Sequence, residues 1–316
     1  MRLGMVSIIL MGQLLLMSRA GVTQSSVSSA ETWAAAASEK YLVYPDRAYG
    51  YASGTSLKLD VWQAQTHEPV PTLIYYHGGG WFFGDRTGAV PYLLPWLERG
   101  WNVVNVEYRM SGTALAPAAV EDARCALRWV YRNAKEFHLD TDRIVVTGHS
   151  AGGHLALMAG MLTENAGLDN NCPTDPNYPE PPLKVAAVVD WYGPTDIGDL
   201  IAGPNRKSYA VSWLGSLPDR SIEARRVSPL TYVRAGLPPI LMIHGDSDPV
   251  VPYAHSQHLH EQLDKLHAPN ELYTVPHGQH GMFGVDADLE AYRHVWSFLA
   301  EHLPPEPKQA QPEPAK

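Results

Sequence analysis

The sequence predicts an α/β protein with a mostly parallel central sheet, helices on both faces and a small insertion. Three observations carry this. Short apolar runs alternate with longer amphipathic stretches along most of the chain. Several runs, such as residues 185–189, are apolar at nearly every position, as strands covered on both faces are. The segment Gly148-His149-Ser150-Ala151-Gly152 follows the apolar run 143–147 and precedes a helix-like stretch, so a strand delivers a serine onto a sharp turn.

The first residues read as an export signal. Met1-Arg2 is a short positive start, residues 3–17 are almost wholly apolar, and Ser18-Arg19-Ala20 is a small-x-small cleavage site, so residues 1–20 are expected to be removed. The apolar run is too short for a comfortable span, and no stable membrane span is expected. Residues 21–40 carry few structure signals beyond an Ala-rich patch around Trp33 and are expected to be flexible.

From Tyr41 the pattern changes. Residues 41–49, 56–63, 71–76 and 101–108 read as strands, the second with Leu57, Leu59 and Val61 in alternation. The first strands have no helices between them and are expected to pair antiparallel. Pro117 opens a helix over 118–137, with Ala119, Ala123, Ala126, Leu127 and Val130 at helical spacing. After the serine turn come a helix over 151–161 and strands at 185–189, 239–243 and 272–275. Helices are predicted over 253–266 and 286–303. Two stretches break the alternation. Residues 164–182, rich in Asn, Asp and Pro, form a surface loop. Residues 193–237 exceed a normal crossover and are expected to form a small lid or a wall of a binding site. Residues 41–303 make one domain, and 304–316 a disordered tail.

The chain has 316 residues, 45% of them hydrophobic, which is ample for one large core. Its net charge is -9 and no Lys/Arg-rich run occurs, so no nucleic-acid partner is expected. Cys125 and Cys172 are its two cysteines. Export permits a bridge between them, and neither has metal-site spacing around it.

A serine hydroxyl is a poor nucleophile until a base takes its proton and a third group orients that base. Two later segments answer for Ser150. In His244-Gly245-Asp246-Ser247-Asp248, Asp248 is preferred as the acid because it lies farther into the loop, while Asp246 suits the turn. In Pro276-His277-Gly278-Gln279-His280-Gly281, His280 is preferred as the base over His277. His244 is read as structural. An attacked carbonyl also needs donors for the oxyanion. His77-Gly78-Gly79-Gly80-Trp81 follows a core strand, and Gly79 and Gly80 are assigned as N–H donors with Ala151. His77 and Gly78 are assigned to support that loop. No Gly-Lys-Ser/Thr follows, so a nucleotide P-loop is not supported. Trp81, Trp191 and Tyr192 are expected to line the substrate pocket, with core packing as the alternative for each. Glu107-Tyr108-Arg109 and Glu121-Asp122 read as structural, with an Arg109–Asp122 ion pair possible.

Together these residues resemble the α/β-hydrolase carboxylesterases that have a His-Gly-Gly-Gly oxyanion loop. The branch implied includes bacterial feruloyl and acetylxylan esterases and hormone-sensitive-lipase-like esterases. The stretch 54–62 resembles the feruloyl/acetyl branch most. The resemblance implies a Ser150–His280–Asp248 triad acting through an acyl-enzyme, with no metal or organic cofactor. The implied substrate is a small ester or an esterified oligosaccharide. The short segment before the sheet departs from the helical cap of hormone-sensitive-lipase-like enzymes and favours the compact carbohydrate-esterase branch. Alternatives are a general short-chain carboxylesterase, a prolyl-oligopeptidase-like peptidase, an arylformamidase-like amidase and an inactive binding protein.

Overall fold

The strand-forming runs are rich in Val, Ile and Tyr, which fit a pleated and covered surface. In the computed structural model, which describes residues 27–305 except 177, 180 and 217, they form one eight-stranded sheet. The strands are β1 (Tyr41–Ala52), β2 (Thr55–Ala64), β3 (Val70–Tyr76), β4 (Asn102–Val106), β5 (Leu139–His149), β6 (Ala187–Trp191), β7 (Ile240–Gly245) and β8 (Asn270–Val275). Their order is β1-β2-β4-β3-β5-β6-β7-β8. β1 pairs antiparallel with β2, and β2 with β4, as the missing intervening helices predicted. Every later pairing is parallel. This is the α/β-hydrolase architecture.

Alternation splits the apolar residues between two cores. In β5, Val146 enters one core with Ile74, Val104 and Val188. Its neighbour Val145 enters the other with Leu73, Val103 and Val189. Each such fully buried side chain contributes roughly 1.5–3 kcal/mol. The helices are α1 (Ser29–Lys40), α2 (Leu94–Glu98), α3 (Ala118–Asn133), α4 (Ala151–Met161), α5 (Ile197–Ile201), α6 (Ser208–Leu214), α7 (Arg220–Arg226), α8 (Ala254–Lys265) and α9 (Val285–His302). Leu127 of α3, Leu157 of α4 and Leu259 of α8 cover the first face. Trp96 of α2 and Val295 and Phe298 of α9 cover the second.

The structure corrects one expectation at the N-terminal side. Residues 29–40 of the supposed flexible segment are helical. Ser28 and Glu31 close a capping box, with Glu31 N–H donating to Ser28 Oγ at 3.1 Å and Ser28 N–H to Glu31 at 2.7 Å. The alanines behind them are strong helix formers, and Trp33 packs on the second core. The proposed signal at 1–20 and nearly all of the tail at 304–316 lie outside the described residues. Cys125 of α3 and Cys172 of the Pro/Asp-rich loop form a disulfide. The insertion is a packed layer of α5, α6 and α7 that buries Ala210, Trp213, Leu214 and Ala224. Among the described residues no helix is long and apolar enough to cross a membrane.

Candidate active site

Central β5 ends at His149, and Ser150 sits between it and the N-terminus of α4. Ser150 has φ 57° and ψ -119°, a strained backbone that lifts its hydroxyl clear of the sheet. The flanking glycines are required by space. A Cβ at Gly152 would stand 1.9 Å from the Tyr76 carbonyl oxygen, and one at Gly148 2.3 Å from the same atom. Ser150 N–H donates to Trp191 O of β6 at 2.8 Å, which ties the turn to the neighbouring strand.

The loops after β7 and β8 bring two side chains to it. Ser150 Oγ lies 2.8 Å from His280 Nε2, and His280 Nδ1 lies 2.7 Å from Asp248 Oδ2. A carboxylate only accepts, so Nδ1–H donates to Asp248 and Nε2 is left to accept the serine proton. Burial alone would raise the Asp248 carboxyl. Hydrogen bonds from His244, His280 and Val250 N–H outweigh it and hold the group well below the usual carboxylate range. The two competitors sit elsewhere. Asp246 shapes the turn by accepting from His277 N–H at 2.7 Å and from the Ser247 hydroxyl at 2.9 Å. His277 contributes that backbone group.

The glycine loop lies against the turn, and Gly78 approaches both His149 O and Ser150 Cβ. Gly79 at φ 121° and Gly80 at φ 58° take conformations that only glycine adopts freely. Among the described residues, the N–H groups of Gly79, Gly80 and Ala151 donate to no other protein group. They are free for a ligand. His77 Nδ1–H donates to Gly78 O at 2.8 Å, its ring stacks on Tyr108 at 4.3 Å, and the Tyr108 hydroxyl donates back to His77 O at 2.8 Å. Behind them Arg109 binds Asp122, with Nη2 to Oδ1 at 2.7 Å. Glu107, read from the sequence as structural, accepts from Arg86 N–H at 3.0 Å and lies 3.7 Å from His77 Nε2, which has no hydrogen-bond partner among the described residues.

Ser150 and His280 open on a cavity of about 660 Å³. Tyr192 lines it, with its ring edge-on to His280 at 4.7 Å. The expectation for Trp81 is corrected. It is fully buried beneath the glycine loop and lies outside the cavity lining, because φ 61° turns its indole inward onto Trp213. Trp191, the last residue of β6, is also buried and stays out of that lining; it borders a neighbouring 240 Å³ cavity that Tyr192 lines as well. The sequence reading missed Phe82, Phe83, Tyr92, Tyr209 and Met282 at the cavity. Phe82-Phe83 directly after Trp81 was the one available signal. Tyr209 comes from α6, so the insertion contributes a wall. His149 lines the cavity as well, and burial followed by the nearby His280 lowers its pKa to about 3, so it stays neutral.

A model of the BD-FAE family matches residues 59–263. The Mycobacterium tuberculosis esterase LipQ is 29% identical over 82% of this chain and 61% of its own length. This chain spans less than two thirds of the curated relatives it matches first. Among solved structures, a truncated carbohydrate esterase from gut microbiota has TM-score 0.70 and 26% identity, covering 83% of this chain and 97% of that one. Thermogutta terrifontis esterase 2, in a form phosphorylated by paraoxon, has TM-score 0.67 and 25% identity, covering 84% and 96%.

Proposed function

Because this chain belongs to the BD-FAE family, we propose that it is a serine hydrolase that cleaves carboxylic esters through Ser150, His280 and Asp248. The observation that carries this reading is the hydrogen-bonded line from Ser150 Oγ through His280 to Asp248, facing a cavity beside free N–H groups. Ser150 Oγ attacks the ester carbonyl while its proton passes to His280 Nε2. Asp248 stabilises the imidazolium, and Gly79, Gly80 and Ala151 N–H groups receive the oxyanion. Collapse releases the alcohol, which takes the proton from His280. Water, deprotonated by the same imidazole, then cleaves the acyl-serine and frees the acid.

The substrate class proposed is a hydroxycinnamoyl or acetyl ester of a plant polysaccharide fragment. The 660 Å³ cavity, with Phe82, Phe83 and Tyr92 at its walls, suits a planar aromatic acyl group. The likeness to a carbohydrate esterase supports an esterified sugar as the alcohol. We also propose export. The leader composition and the Cys125–Cys172 bond, of a kind that persists in oxidising compartments, support it.

The test is hydrolysis of a matched panel by the purified protein and its Ser150→Ala variant. The panel holds p-nitrophenyl acetate, butyrate and octanoate, methyl ferulate, acetylated xylan and an aminoacyl anilide. Ser150-dependent release of ferulate or acetate from the last esters supports the substrate class. Turnover of alkyl esters alone leaves a general short-chain carboxylesterase. Anilide cleavage alone, or ester turnover unchanged in the variant, overturns the reading.

A further inference from the structure

We propose that Trp213, brought by the insertion, is a positioning residue for the oxyanion loop, holding the Gly79–Gly80 backbone through its stack on Trp81. The inference rests on the esterase reading above and assigns the insertion a part in catalysis.

Trp81 directly follows the two glycines and carries φ 61°. A bulky side chain holds such a backbone only where its surroundings over-determine it. Two fully buried rings pack on Trp81, and Tyr209 of α6 lies tilted at 6.0 Å beside them. Trp213 of α6 stacks on Trp81 with centroids 4.0 Å apart and planes 11° apart. His154 of α4 meets Trp81 edge-on at 5.0 Å and Trp213 edge-on at 5.4 Å. One ring therefore comes from the oxyanion loop, one from the helix behind the nucleophile and one from the insertion. All three are fully buried.

The triangle is anchored at its edges. His154 Nε2–H donates to Val227 O, at the end of α7, at 2.7 Å. Ala116 N–H donates to Trp213 O at 3.0 Å, and Ser111 N–H to Trp81 O at 2.8 Å. Neither indole N–H has an acceptor among the described residues. Ring shape and packing, and no polar side-chain bond, thus set where Trp81 lies. A smaller group at 213 leaves Trp81 free to relax from its left-handed backbone, and the neighbouring Gly80 peptide turns with it. Burial keeps His154 neutral, with its pKa lowered to about 4, so the assembly is the same at pH 6 and pH 8.

An oxyanion donor that is misaimed weakens the tetrahedral state and spares the ground state. The predicted signature is a loss in kcat with KM nearly constant. The experiment compares Trp213→Leu and Trp213→Phe with wild type, using p-nitrophenyl acetate and a trifluoromethyl ketone that forms a tetrahedral adduct with the active serine. The control is Trp96→Leu, a tryptophan equally buried in the opposite core against Trp101 and Trp296.

Trp213→Leu is expected to lower kcat about 10- to 100-fold, with KM within about twofold and the ketone Ki raised in proportion. Trp213→Phe, which keeps an aromatic face, is expected to lose about threefold in both. Trp96→Leu is expected to lower the melting temperature while kcat stays within about twofold. A folded Trp213→Leu protein with wild-type kcat overturns the proposal, as does an equal kcat loss in Trp96→Leu. If Trp213→Leu does not fold, Trp213→Phe decides, and unchanged kcat and Ki there also overturn it. A wild type that neither turns over the ester nor binds the ketone refutes the esterase reading itself, which separates the two failures.

Discussion

His244 Nε2 lies 3.2 Å from Asp248 Oδ2, the same oxygen that His280 Nδ1 meets at 2.7 Å. His244 is fully buried, and Ser256 Oγ lies 2.7 Å from its Nδ1. With the Ser256 hydroxyl donating to Nδ1, Nε2 carries the hydrogen and points at the carboxylate and at Val251 O. The residue read from sequence as structural thus helps keep Asp248 ionised. Replacing it removes one of the two imidazole donors from a buried carboxylate. His244→Leu is expected to lower kcat about 10-fold and stability by about 1–3 kcal/mol. Steady-state kinetics and urea unfolding of the same preparation check both.

Asp190 supplies a pH prediction. It sits beside Gly148 in the sheet register and accepts from Gly193 N–H at 2.9 Å, while its other oxygen has no partner among the described residues. Burial pushes its pKa up to about 7. Between about pH 4 and 7 the unfolded carboxyl has lost its proton while the folded one keeps it. The unfolded state then binds fewer protons, so this group makes stability fall as pH rises, by at most about 1.4 kcal/mol per unit. The loss is complete once pH passes the folded pKa. Asp190→Asn removes the titration. Its melting temperature relative to wild type is expected to rise from pH 5 to pH 8, and a constant difference would refute the assignment.

The nucleophile turn has no room for a methyl group at residue 152, where a Cβ would overlap the Tyr76 carbonyl. Gly152→Ala must push β3 away from α4. The expected result is loss of esterase activity by at least 100-fold with destabilisation of several kcal/mol. Activity per folded molecule, measured against circular dichroism, checks this.

The Cys125–Cys172 bond joins positions 47 apart in sequence. A loop of that length corresponds to about 4 kcal/mol of stabilisation through the unfolded chain. The double Cys125→Ser/Cys172→Ser variant is expected to lose stability of this order while kcat of the folded protein is retained, because the bond lies away from the Ser150 cavity. Denaturant titration with and without reductant tests it, and reductant should shift only the wild type.

Much was legible because it is local. A Gly-x-Ser-x-Gly turn after an apolar strand is a short-range steric requirement, and so are the glycines after His77 and the loops that carry Asp248 and His280. The helix over residues 29–40 was equally local, since the Ser28/Glu31 box and the alanines were present to be read. The pairing of Cys125 with Cys172 was open in the sequence, since helix and loop positions alone do not place two sulfurs together.

The sequence by itself determined the α/β architecture, the antiparallel start of the sheet and the chemical type of each residue around Ser150. Periodicity and turn sterics act over a few residues, so a linear reading contains them. Only the tertiary structure decided which side chains face the cavity. Trp81 turned under the loop onto Trp213, Trp191 went into the core, and Tyr209 and Phe82 took places at the cavity. It also decided that His244 shares the Asp248 carboxylate. These outcomes depend on contacts between segments far apart in the chain, where packing of whole rings outweighs any local preference.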